Sequence, residues 1–120
     1  MLAALAACLA GCAAVPDRPA TSSAGCVRAV LDRHLPSGLR DKPAHCVAGG
    51  LIARFCSPME ARLAGIVKEL RDVFTAGDAD WGDWQATRAG VRCAAPNADA
   101  ASIIACCDEA QRAFSAAPPR

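Results

Sequence analysis

The chain has 120 residues, 53% of them hydrophobic but only 4% aromatic and none of them Tyr, so it is one small domain whose core must come from Ala, Val, Leu, Ile and a few Phe and Trp. Thirteen basic residues stand against twelve acidic ones for a net charge of +1, with no basic cluster, which excludes the electrostatic footprint of a nucleic-acid binder. Eight cysteines form no C-x-x-C pair, and two are adjacent at Cys106-Cys107; they suit neither a zinc knuckle nor a thioredoxin-like site and point to disulfides in an oxidising compartment.

Residues 2–10 are an uncharged Leu/Ala run ending in Leu9-Ala10-Gly11-Cys12, which resembles a bacterial lipobox at the end of a signal peptide. The resemblance implies that residues 1–11 are removed and that Cys12 becomes the acylated first residue, carrying diacylglycerol and palmitate-type chains. Ala13, where some lipoproteins have Asp, implies sorting to the outer membrane. The run lacks the basic n-region of ordinary secretory signals, which leaves open whether Met1 is the true start. Leu5-Ala6-Ala7-Cys8 is a weaker second lipobox, and the plain alternative is an apolar N-terminal helix. Removing residues 1–11 leaves Cys26, Cys46, Cys56, Cys93, Cys106 and Cys107 for pairing, an even number as a disulfide framework requires. Two or three acyl chains hold a protein stably on a membrane where one does not. The longest uncharged stretch of the mature chain, residues 43–53, falls short of the ~20 apolar residues that cross a bilayer.

Residues 12–25 hold the lipidated Cys and then Pro16, Pro19, Thr21, Ser22 and Ser23, and read as a flexible tether. From Cys26 to Leu35, Val27, Val30 and Leu31 recur at helical spacing until Pro36-Ser37-Gly38 breaks it. Asp41 is placed to cap a second helix with Pro43 in its first turn, burying Val47, Leu51, Ile52 and Phe55. Asp41, His45 and Gly49 share one of its faces, where Gly49-Gly50 lets a neighbouring backbone come close. Ser57, Pro58 and Glu60 form a capping-box start for a third helix. Its apolar face is Leu63, Ile66, Val67, Leu70 and Phe74. Ala61, Gly65, Glu69 and Asp72 form a second face, suited to a close helix contact that carries polar side chains. Gly77 ends it, a fourth helix follows from about Trp81 to Cys93, and a fifth runs from Asp99 to about Phe114 with Ile103, Ile104 and Cys107 inward. Residues 116–120 read as a disordered tail. The expected fold is therefore all-α: a small disulfide-stapled bundle of four to five short helices over residues 26–115.

Cys46 and Cys56 lie ten residues apart on one helix, about 15 Å of rise, and cannot pair across the ~7 Å that a disulfide tolerates. An up-down arrangement brings the ends of the second and fourth helices together, which favours Cys56 with Cys93. Cys26 and Cys46 then take Cys106 and Cys107 in either order.

Three charged patches carry the remaining chemistry: Asp41, Lys42 and His45; Lys68, Glu69 and Asp72; and Asp83 with Ala86 and Gly90. Their order and spacing resemble the D-K-x-x-H, K-E-x-x-D and D-x-x-A-x-x-x-G motifs of the VanZ-like superfamily, in particular its YfiM-like periplasmic lipoproteins, over Asp41 to Gly90. That resemblance implies a cell-envelope role without a settled mechanism. These helices are shorter than the membrane-embedded helices usual in the family, and the fourth ends in Arg88, Arg92 and Cys93, so the resemblance implies a soluble offshoot.

His45, Glu69 and Asp72 are the candidate catalytic residues, since a His with carboxylates suits metal-assisted or general acid-base chemistry on an envelope lipid or glycan. The plainer reading is a polar network of Asp41, Lys42, His45, Lys68, Glu69, Asp72 and Asp83 at helix ends, with Asp83 favoured by the helix dipole. The residue types favour the network, and the weight falls against an enzyme. His34 reads as a solvated helix-end residue, and Trp81 and Trp84 as cover for a small core. No serine hydrolase signature surrounds Ser57, Ser102 or Ser115, and nothing calls for a cofactor or a bound metal. The chain thus reads as a small lipid-anchored binding or structural module on the periplasmic side of the envelope. Its expected partners are the membrane, through the anchor, and an envelope protein or glycan.

Overall fold

The computed structural model describes residues 17–74 and 81–118, with the backbone alone described for 69–74. Five helices follow one another: α1 Ser23–His34, α2 Asp41–Phe55, α3 Pro58–Phe74, α4 Trp81–Cys93 and α5 Ala100–Ala116, with no strand among the described residues. The chain is an all-α, disulfide-stapled bundle, and none of its described helices is long and apolar enough to cross a membrane.

Side-chain caps set several of the starts. The Ser22 hydroxyl accepts from the Gly25 amide at 3.1 Å, Ser57 from the Glu60 amide at 3.1 Å, and the Asp99 carboxylate from the Ser102 amide at 2.8 Å, each satisfying an N–H that helix geometry leaves without a partner. α2 differs from expectation. Arg40 takes the cap position without a side-chain bond, and Asp41 is the first helical residue with φ 46°. A short polar side chain tolerates that left-handed backbone better than most, and it turns the chain into the helix ahead of Pro43.

α2 is the axis of the bundle, in contact with all four other helices and most extensively with α4. Its Val47, Leu51 and Ile52 are buried, together with Val30 of α1, Ala61 of α3 and Ile103 of α5. Aromatic residues do not fill this core: Phe55 is half-buried and stacks on His34 with ring centroids 4.8 Å apart, while Trp81 is 68% exposed. His34 is therefore held against a ring rather than solvated, and Trp81 does not cover the core. Sulfur fills the space instead, with Cys26, Cys46, Cys56, Cys93 and Cys107 all buried.

The bridges are Cys26–Cys56, Cys46–Cys107 and Cys93–Cys106. Cys56 does not pair with Cys93 as expected, because α2 ends at Phe55 and Cys56 follows it with non-helical backbone (φ −115°, ψ −90°), meeting α1 rather than α4. Cys46 does pair with one of the two adjacent cysteines. Closing loops of 30, 61 and 13 residues, each bridge contributes about 3–4 kcal/mol by chain-entropy reasoning, more than burial of one large aliphatic side chain at about 1.5–3 kcal/mol.

α3 alone carries no bridge among the described residues. It packs by its small-residue face, Ala61 and Gly65, and turns Met59, Leu63, Ile66 and Val67 outward with at least 41% exposure. Leu63, Ile66 and Val67, expected to face inward, thus form an external ridge with Met59, and the side chains of Leu70 and Phe74 lie outside the described residues. The N-terminal turn of α3 holds the end of the tether. Arg18 donates to both Glu60 carboxylate oxygens at 2.7 and 2.9 Å, and the Ser23 hydroxyl donates to Oε1 at 2.6 Å. The stretch read as flexible is therefore clamped at Arg18 and already helical from Ser23.

Two outcomes are expected. Peptide mapping of the non-reduced protein recovers Cys26–Cys56, Cys46–Cys107 and Cys93–Cys106, and a Cys56–Cys93 peptide contradicts the fold. The hydrogen bond from Arg18, with those from Ser23 and Ser57, holds the Glu60 carboxyl at about 2, below its ordinary 4.5. A depressed carboxylate stabilises the fold above its unfolded value and loses that contribution as protons are added. The thermal midpoint therefore falls as pH drops from about 4.5 towards 2, and part of that fall disappears in Glu60→Gln.

Candidate functional site

The first and third charged patches meet through His45 and Asp83 where α2 and α4 pack together, with Gly65 of α3 alongside. Contacts advance in the same direction along α2 and α4, His45 with Asp83 and then Gly49 with Thr87, so these two helices run parallel. Their approach is backbone against backbone. A Cβ on Gly90 would collide with the Cys46 carbonyl, and one on Gly49 would lie 2.8 Å from the Thr87 carbonyl oxygen. A Cβ on Gly50 would be closed in on two sides, 2.6 Å from Ile103 Cγ2 and 2.9 Å from the Gly90 carbonyl oxygen. Only glycine lets two helices touch this closely.

Inside that contact His45 Nε2 sits 3.2 Å from Asp83 Oδ2, both side chains being nearly enclosed. Asp83 is 8% exposed and lies in the first turn of α4, where the free amides favour an anion. One turn on, the Thr87 hydroxyl donates to the Asp83 carbonyl at 3.1 Å, satisfying a buried hydroxyl that would otherwise cost free energy. Gly65 of α3 closes the third side, with Thr87 Cγ2 and Trp84 Cζ3 at 3.3 and 3.7 Å from where its Cβ would be.

Of the residues proposed from sequence, the structure brings together His45 and Asp83. Asp41 is exposed at the start of α2, Lys42 is half-buried beside it, and Lys68 is exposed on α3. Glu69 and Asp72 follow Gly65 by one and two turns of α3, and their side chains lie outside the described residues. Thr87 was not singled out in the sequence. Its position four residues after Asp83, matching the His45 to Gly49 step, is the signal that marks it.

A group of potential metal ligands among the described residues is Cys46, Cys93 and Cys107, whose sulfurs lie within 4.8 Å of one another. All three are tied in bridges, and a disulfide sulfur offers no thiolate to a cation.

Away from this junction, on the side of α4 that faces α5, a groove of about 480 Å³ runs between the two helices. His45 does not line it; Lys42, Arg88 and Arg92 do.

The glycine contact makes a direct prediction. In an ordinary helix Gly→Ala stabilises by about 1 kcal/mol, but Gly90→Ala should lower the denaturant-measured stability of the oxidised protein by about 2 kcal/mol or more, because a backbone carbonyl rather than a flexible side chain has to yield. Gly65→Ala, which meets only side chains, should stay within about 1 kcal/mol of the parent. No family model, curated protein or solved structure matches this chain.

Proposed function

We propose that this chain is a lipid-anchored, disulfide-stapled helical module of the cell envelope. It faces the periplasm, sits at the outer rather than the inner membrane, and acts by binding or structural support on an envelope protein or glycan. The observation that carries this reading is the use of cysteine. All six cysteines from Cys26 onward are consumed by three bridges, the state of a protein matured in an oxidising compartment. Cys12, at the end of its small-residue motif, is left for a different chemistry.

The clamp on the tether supports the same reading. Arg18 follows Cys12 by six positions, at most about 20 Å of extended chain, and it is fixed to the first turn of α3. An acylated Cys12 therefore keeps the domain close to the bilayer, and the outward ridge of Met59, Leu63, Ile66 and Val67 is on α3, the helix to which Arg18 is tied. Such a ridge suits the membrane interface. The resemblance to YfiM-like lipoproteins points to the same compartment, and the contact of His45 with Asp83 joins the first and third of its motifs. Acid-base catalysis by His45, Glu69 and Asp72 gains no support from a His45 turned onto Asp83 inside a closed helix contact.

Labelled palmitate fed to expressing bacteria should enter the protein, and Cys12→Ser should abolish incorporation while leaving the three bridges intact. Label retained in Cys12→Ser would move the anchor to Cys8, and no label in either protein would remove it.

A further inference from the structure

The groove between α4 and the C-terminal half of α5 has a chemistry of its own. At about 480 Å³ it lies within the roughly 300–1,000 Å³ of small-molecule sites. Its floor is Ala86 and Ala89 of α4, Ala110 of α5 and the Cys46–Cys107 bridge. Lys42, Arg88 and Arg92 stand around it and no carboxylate lines it. In a chain of net charge +1, the two arginines over an apolar floor with no carboxylate in the lining make a locally positive site.

Arg88 and Arg92 are exposed and neither makes an ion pair among the described residues. At i, i+4 spacing on one helix they repel each other. The helix dipole accounts for Arg92 in the last turn of α4 but not for Arg88, a turn earlier. The Cys93–Cys106 bridge sets the direction of the groove, with Arg92 beside its stapled end and Arg88 one turn further along α4. Phe114, eight residues beyond Cys106 and 56% exposed, lies at the other, about 12 Å along α5 at the helical rise of 1.5 Å per residue.

We propose that this groove binds an anionic single-chain amphiphile of the fatty-acid type, its carboxylate between Arg88 and Arg92 and its alkyl chain along the alanine floor towards Phe114. Charge-assisted bonds to guanidinium groups fix the head, and burial of the chain on alanine and the bridge supplies the apolar contribution. The inference deepens the binding-module reading by naming a ligand class. It stands whether or not Cys12 carries lipid.

The test uses the oxidised full chain with Cys12→Ser, free of detergent, so that no attached acyl chain competes. Calorimetric titration with dodecanoate, below its micellar range, should show one site per chain. Dodecanol should bind more weakly and dodecyltrimethylammonium not at all, and acetate should not bind detectably. Arg88→Gln with Arg92→Gln should weaken dodecanoate about tenfold, as loss of a charge-assisted contact implies, and leave dodecanol unchanged. Ala89→Trp, shown by circular dichroism to keep its helices, should abolish binding of both. Absence of dodecanoate binding by the folded protein would overturn the proposal, as would equal affinity for the cationic amphiphile or an undiminished affinity in the double arginine variant. None of those failures touches the anchor, which palmitate labelling decides separately.

Discussion

The structure depends on a contact between two main chains. At Gly90 the α4 backbone lies directly against the Cys46 carbonyl, and at Gly49 and Gly50 the α2 backbone lies against the Thr87 and Gly90 carbonyls. Helices usually pack 8–10 Å apart because side chains hold them off. Here three glycines remove that spacer, and Cα–H groups meet carbonyl oxygens instead. The entropy that glycine loses in a helix is a standing cost of about 1 kcal/mol per position. It is offset by what the close approach brings together: His45 onto Asp83, Cys46 within reach of Cys107, and Ile103 over Gly50.

The same closeness explains why the core is built of sulfur and small aliphatics. Helices this near leave little room for a ring between them, so Trp81 and Phe114 end outside, Trp84 reaches only the edge of the contact at Gly65, and Phe55 sits half-buried between His34 and Arg54. A core whose largest enclosed side chains are Leu51, Ile103 and Val30 buries little apolar area per residue. Cross-links that restrict the unfolded chain then supply what burial does not. α3 follows the rule in its own way. It approaches through Ala61 and Gly65, and because the small face is the one that fits, its larger side chains are displaced to the surface.

Much of this was legible in the sequence, and what was missed has a common cause. The helices at Trp81–Cys93 and from Asp99 onward, the Ser57 cap, the Gly49-Gly50 approach and the small-residue face of α3 all follow from local spacing. The Cys26–Cys56 bridge was not legible, because a single non-helical residue after Phe55 decides where that sulfur points. The Arg18–Glu60 clamp joins residues 42 apart, and no local pattern in a Pro/Ser/Thr-rich stretch announces it. Hydrophobicity points the larger side chains of α3 inward, whereas packing against a glycine contact ranks its faces by size. At the candidate site the pairing of His45 with Asp83 follows once α2 and α4 are known to run parallel, a fact of topology rather than of either helix alone.

α4 separates two environments by its two sides. One side carries Asp83, Thr87 and Gly90, all buried, and is closed by backbone contact so tightly that nothing but the chain itself fits. The other carries Ala86 and Ala89, half-buried, with Arg88 and Arg92 at the edge, and is left open because α5 is stapled to α4 only at Cys93–Cys106. The Cys46–Cys107 bridge belongs to both. It fixes α5 to α2 beneath the glycine contact, and it forms part of the groove floor. The groove is therefore a product of oxidation as much as of sequence: two bridges, Cys93–Cys106 to α4 and Cys46–Cys107 to α2, fix α5 against the bundle, and only the second lies in the groove itself. The groove in this form therefore belongs to the chain with its cysteines paired.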